Sequence, residues 1–301
     1  MKVMELFVPI VRLTVPADTN LDVGGGVRLR PISEEERRIW LKRVGGSFHV
    51  HWDVHMASCA LTLRRAPANV DLIQDSGRDI VSSFTTALRL LAGGTPGYRY
   101  TYFDIENSPG GSWMFHPLSD ITRIGEAAAI SAEEADDVVE MSGLLRTPPI
   151  LGNANLQLAL RRFNYAYTRE IIGDRILDLV IALESLLSPD GPGEIGYKVA
   201  TRGVRLLRAR GSQAHFDALR ALYGLRSDIV HRGLHEKLHD SKAMKRLGVA
   251  LGATPGLIGG GLVEDTLERA HRLVAEIITA YLRHRSVADA EAVVAALDQQ
   301  E

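Results

Sequence analysis

The sequence predicts an α+β protein: a mixed α/β N-terminal region followed by an all-helical domain shaped like a four-helix bundle. Three observations carry this reading. Strand-like and helix-like segments alternate up to about residue 147. A proline pair, Pro148 and Pro149, then interrupts the chain in RTPPILGN, since residues before a proline are driven out of the helical region. Beyond it the apolar spacing is helical almost to the end. With 301 residues, 46% hydrophobic and 24% charged, the chain is long enough for one large or two medium cores.

Taken in order, MKVMELFVPIVRLTV is apolar but interrupted by Glu5, Pro9 and Arg12, unlike the apolar core of a signal peptide. No later run approaches the roughly 20 apolar residues of a membrane span. The expectation is a cytoplasmic protein without a membrane partner. VRLRPISEEERRIW reads as a strand and then a helix opened by a capping box, Ser33 with Glu36. FHVHWDVHM alternates, which predicts a strand with His49, His51, Asp53 and His55 on one face. Such a face could hold a first-row metal, but alternating polar residues are more often a solvent face, so no metal is expected.

NVDLIQDSGRDIVSSFTTALRLLAGG is a core helix with Ile73, Ile80, Phe84, Leu88 and Leu91 on its seam, stopping at Gly93 and Gly94. YRYTYFDI and SWMFHPL follow as strands. Tyr98, Tyr100 and Tyr102 share a face in the first of them; packing is their commoner use, and nucleobase stacking would make this region an RNA-recognition module. Ser131 and Glu134 form a second capping box, opening SAEEADDVVEMSGLL.

After the linker, NLQLALRRFNYAYTREIIGDRILDLVIALESLL is one long helix or two joined near Gly173. SPDGPG breaks the chain. EIGYKVATRGVRLLRAR, HFDALRALYGLRSDIVHRG and LVEDTLERAHRLVAEIITAYLRHR supply three further helices, which closes an antiparallel bundle over residues 154–286. Residues 287–301 read as a short C-terminal helix or tail. Cys59 is the one cysteine, which excludes an internal disulfide or a multi-thiolate zinc site.

Charge divides unevenly. Residues 155–285 hold 20 Lys and Arg against 14 Asp and Glu, while the rest of the chain holds 15 against 23. The helical half is therefore the anion-binding half. Within it, Lys198, Arg202, Arg205, Arg208 and Arg210 form a run without an acid that could follow a phosphate backbone; a solvated helix face explains the same run equally well.

RSDIVHRGLHEKLHD, residues 226–240, holds two overlapping motifs. His235-Glu236-Lys237-Leu238-His239 has the spacing of a zinc hydrolase, with two imidazoles one turn apart and a glutamate base. Gly233 just before it, the cation of Lys237, and Lys242 and Lys245 where a glycine and a third histidine would extend the motif all oppose that reading. Arg226-x4-His231 lies in apolar helical context among Leu222, Leu225, Ile229 and Val230. Positions five apart lie about 140° apart around a helix, so the two groups do not converge unless Arg226 curls around, the helix ends at Gly233, or two copies of the helix share a pocket. A helix-terminal histidine and an ion-paired arginine explain the spacing as well.

Taken together, DRILDLVIALESLL, YKVATRGVRLL and LYGLRSDIVHRG resemble the HEPN superfamily, specifically proteins with an Apea-like HEPN domain. VRLRPISEEERRIW and ALRLLAGG resemble the α/β region that precedes HEPN in these proteins, so the resemblance covers most of the chain. It implies a domain that dimerises through its motif-bearing helices and, in active members, a metal-independent endoribonuclease, many of them in antiphage or toxin-antitoxin systems. Other members are silent scaffolds or bind nucleotides. On that reading His231 transfers a proton, Arg226 clamps the phosphate, and RNA is cut to a 2′,3′-cyclic phosphate and a 5′-hydroxyl by a homodimer that needs no cofactor. Ser227 matches the polar residue often found after the motif arginine. Ser227 and Asp228 would orient the pair and Glu184 would hold Arg226; a half-buried ion pair explains Glu184 and Asp228 equally well.

Overall fold

The computed structural model describes residues 4–43, 52–65, 70–105, 113–115, 127–191, 193–233, 238 and 241–300. The chain is α+β and divides into two compact units, Met1–Thr147 and Pro148–Glu301.

The first unit is built on a six-stranded sheet, ordered β3-β4-β5-β1-β6-β7, in which every neighbouring pair is antiparallel. Its strands are β1 (Met4–Ile10), β3 (Leu21–Gly24), β4 (Val27–Pro31), β5 (Cys59–Arg65), β6 (Thr101–Ile105) and β7 (Trp113–Phe115), while β2 (Leu13–Thr14) and β8 (Ala128–Ala129) pair in parallel. Helix α1 (Glu34–Arg43) begins where Ser33 Oγ accepts the Glu36 N–H, as the capping box predicts. The Glu36 carboxylate, however, is taken by the Arg30 guanidinium rather than turning back to its own cap. Helix α3 (Val70–Leu91) stops before Gly93 and Gly94, both at positive φ, and α4 (Ala132–Leu145) carries the complete Ser131/Glu134 capping box.

One predicted strand is a helix. Trp52–Met56, in FHVHWDVHM, forms α2, and the reason lies outside the segment. Arg37 of α1 donates to the carbonyls of Val54, His55 and Ala57 at 2.7, 2.6 and 2.9 Å, satisfying the orphan acceptors at the end of α2. Asp53 and Val54, adjacent in sequence, are both buried, so the alternating face does not form and Asp53 and His55 do not share it. His49 and His51 lie outside the described residues.

The core beneath α2 stacks Phe7 on Trp40 at 4.6 Å, with Tyr100 and Tyr102 beside them. Only Tyr102 of the three tyrosines belongs to β6; Tyr98 and Tyr100 precede it, and all three are buried, so these rings are packing groups and offer no face to a nucleobase. Tyr102 Oη donates to Asp53 Oδ1 at 2.9 Å, and Asp53 Oδ2 has no partner among the described residues.

Burial pushes the Asp53 carboxyl up from 3.8 to about 6, against the lowering effect of the Tyr102 hydrogen bond. A carboxyl raised on folding gives stability that is fully present below its unfolded value and lost as pH rises through about 6. Above that pH the fold carries a buried charge at a cost of roughly 2–3 kcal/mol. Asp53→Asn is therefore expected to raise stability at pH 8 by about 2 kcal/mol and to lose that advantage by pH 4, where the amide's extra donor is the larger cost. Urea unfolding across that pH range measures both ends; a difference independent of pH would contradict the assignment.

The second unit is wholly helical among its described residues. It runs α5 (Pro148–Gly152), α6 (Ala154–Thr168), α7 (Ile172–Leu187), α8 (Ile195–Leu207), a 3-10 turn (Arg208–Arg210), α9 (Gln213–Arg232), α10 (Lys242–Ala250), α11 (Gly259–Leu282) and α12 (Ala290–Asp298). The proline pair starts a short helix rather than a bare linker, since the first turn needs no N–H from proline. The long segment is two helices, parted at residues 169–171. There Arg175 donates to the Arg169 carbonyl, and Asp178 receives both Arg162 and Arg169.

Helix α10 is an element the sequence reading does not include, and Gly259–Gly261 form the first turn of α11. The bundle thus has more elements than the four helices predicted. Helices α8 and α9 approach closely because two glycines face α9. A Cβ on Gly203 would lie 2.8 Å from Leu219 Cδ1, and one on Gly196 would lie 2.7 Å from the Tyr223 ring. Among the described residues no helix is long and apolar enough to cross a membrane.

Candidate functional site

Helix α9 carries the Arg226-x4-His231 motif. Ser212 caps its start by accepting the His215 N–H, and Gly233, left-handed at φ 63°, ends it one residue after Arg232. The helix is continuous between them, so Arg226 and His231 stand about 140° apart around its axis and about 7.5 Å apart along it. Among the described residues no hydrogen bond or ion pair joins the two within one chain.

Arg226 is fixed from two sides. Its Nε lies 3.3 Å from Glu184 Oε1 of α7, an ion pair without the alignment of a hydrogen bond, and its guanidinium sits 5.5 Å above the Tyr223 ring. Tyr223 is in turn pressed against the backbone of Gly196, which holds the ring in place. Burial in the apolar IALESLL helix raises the Glu184 carboxyl, and the Arg226 charge opposes that rise.

Next to Arg226, Ser227 lines a cleft of about 690 Å³, together with Tyr197, Arg220 and Tyr223 and the chain entering α8 at Gly193–Gly196. Tyr197 is half exposed there, with its ring edge-on to Phe216 at 5.9 Å. His231 is exposed at the end of α9, beside an exposed Val230, and its side chain makes no hydrogen bond or ion pair among the described residues. Asp228 is half-buried on the same helix.

No protein-family model, curated protein or solved structure matches the chain.

The basic run of α8 is not one face. Arg202 is buried and spends all five N–H donors internally, on Asp190, on Asp298 and on the Leu187 carbonyl. It has nothing left for a phosphate. Lys198 donates to Asp190 at 2.8 Å, and Arg205 to the carbonyls of Leu297 and Asp298. Of the five cations in the run, Arg208 and Arg210 are exposed and make no hydrogen bond or ion pair among the described residues.

Of the HEKLH motif only Leu238, which is buried, belongs to the described residues; His235, Glu236, Lys237 and His239 lie outside them. Spacing alone passed over Tyr197 and Tyr223. The signal for Tyr223 was present, because it stands three residues before Arg226 on one helix face.

Proposed function

We propose that the chain is a HEPN-type, metal-independent endoribonuclease that acts as a homodimer, with Arg226 and His231 in a composite site. The observation that supports it best is the asymmetry between the two groups. Arg226 is paired with Glu184 and lies over Tyr223, while His231, on the same helix, is exposed and makes no hydrogen bond or ion pair among the described residues.

A clamp for a phosphate must be preorganised, and a proton-transfer imidazole must reach a second molecule. Exposed Val230 beside His231 gives a second copy an apolar contact at that point. In the reaction the RNA 2′-oxygen attacks its own phosphorus, one His231 takes the 2′-proton, and the partner's His231 protonates the leaving 5′-oxygen. Atoms balance without water or metal, and the products are a 2′,3′-cyclic phosphate and a 5′-hydroxyl. The cleft lined by Ser227, Tyr197 and Tyr223 takes the nucleotide beside the cut, with the half-exposed Tyr197 ring as its stacking surface. A cytoplasmic antiphage role belongs to this reading and follows from the resemblance.

A second reading is favoured by the separation of Arg226 and His231 within one chain: a silent HEPN protein that binds nucleic acid, nucleotide or a protein partner. Incubating the purified full chain with total RNA in EDTA separates the two. Cleavage to cyclic-phosphate ends, with a dimer seen by light scattering, is the expected result. RNA retained but uncut as the protein is concentrated leaves the silent reading.

A further inference from the structure

At the C-terminal end of α8 the surface forms a half-open pocket of about 300 Å³ that nothing in the proposed reaction uses. Arg205, Arg208, Arg210, Arg283 and His284 line it, over an apolar floor that includes Leu297. Among the described residues no carboxylate lines it.

The ordinary explanation for such arginines is helix ends, because α8, α11 and α12 all finish here, and cations suit helix C-termini. Magnitudes decide against that as a complete account. Three helix ends sum to about −1.5 charges, whereas four guanidiniums carry about +4. The nearby Asp298 is already occupied by Arg202. Arg205 alone answers the α12 carbonyls, and Arg208, Arg210 and Arg283 make no hydrogen bond or ion pair among the described residues. Arg208 also holds φ 53° and ψ −129°, a conformation costly for a side-chain-bearing residue, as the chain turns from α8 into the cavity rim. His284 Nδ1 accepts the Ser286 N–H, which leaves Nε2 as the ring's donor.

We infer that this cavity binds a compact anion carrying two or more adjacent phosphate groups, on Arg208, Arg210 and Arg283 with His284. A compact ligand, rather than a polymer backbone, follows from the layout. The pairing of Lys198 and the saturation of Arg202 interrupt the basic run along α8, so the free cations gather at one end. That end is about 18 Å along α8 from the cleft beside Arg226, and the inference stands whether or not Arg226 and His231 cut RNA. Guanidinium forks match phosphate oxygens two at a time, and the volume sits at the small end of ligand pockets.

Calorimetric titration of the full chain with inorganic pyrophosphate, at near-physiological salt, tests it. One site per chain is expected, weakened about tenfold or more in each of Arg208→Gly, which suits the positive φ, and Arg283→Gln. Arg246→Gln, an exposed cation on α10, should leave it unchanged. Absence of pyrophosphate binding at millimolar concentration, or an equal loss in Arg246→Gln, overturns the site. Tighter binding, at the same arginines, of a short RNA lacking terminal phosphates overturns the compact ligand.

Discussion

Arg226→Ala and His231→Ala are each expected to slow RNA cleavage in EDTA by a factor of about 10² to 10⁴ while leaving the helical unit folded. The two losses have different origins. His231 is exposed and bonded to nothing in the described chain, so its removal takes away a proton-transfer group and little else. Arg226 is bound to Glu184 and lies over Tyr223, so its removal also leaves Glu184 half-buried without its opposing charge. A stability loss of about 1 kcal/mol should accompany the activity loss in Arg226→Ala and be absent from His231→Ala. Arg226→Lys keeps the charge but not the fork, and should recover only part of the rate. Glu184→Gln, acting through Arg226, should cost less than either alanine variant and leave the product ends unchanged. Contaminating ribonucleases also leave cyclic-phosphate ends in EDTA, so the decisive comparison is between wild type and His231→Ala purified side by side. Equal cleavage by the two would remove His231 from the reaction.

Why the sequence exposes some of this and hides the rest is a matter of distance along the chain. The α+β class rests on local signals that survive folding: the Ser131/Glu134 capping box, the Gly93-Gly94 stop and the helical seams of α3 and α11. Glu184 was within reach for a similar reason, being a lone acid in an apolar helical run that has to find a cation. Trp52–Met56 reads as a strand because five residues do not separate a period of 2 from one of 3.6, and the deciding contact comes from Arg37, fifteen residues earlier. Helix α10 leaves only a short local trace, Ser241 at its cap and Met244 and Leu247 on its buried side, too few apolar positions to mark a helix by periodicity. The basic run of α8 is the clearest limit. A count of charges shows that Arg202 is cationic, but not that a carboxylate 96 residues later closes on it.

That closure makes Arg202 a polar position where substitution should cost much stability. Arg202→Met keeps an unbranched apolar stem and removes five hydrogen bonds: two to Asp190, two to Asp298 and one to the Leu187 carbonyl. Breaking a buried pair from one side costs about 3–5 kcal/mol. Asp190 and Asp298 keep a third and a half of their side-chain surface in water and can rehydrate, so the lower end, about 3 kcal/mol, is expected. Helix α12 should loosen first, because Asp298 at its end is tied to α8 by this residue.

The pH dependence gives an independent check. The hydrogen bonds of the Arg202 guanidinium hold both aspartates below their ordinary value of 3.8. Carboxyls lowered on folding give stability that is present above 3.8 and lost as pH falls toward their folded values. The gap between wild type and Arg202→Met should therefore be widest near neutrality and narrow below about pH 4, as the wild type loses what the variant never had. Urea unfolding at pH 7 and pH 3 measures it. An unchanged midpoint at pH 7, together with weakened RNA binding, would return Arg202 to the nucleic-acid surface. A large loss that narrows in acid makes it the tie between α8 and α12, and leaves phosphate binding to the arginines at the end of α8.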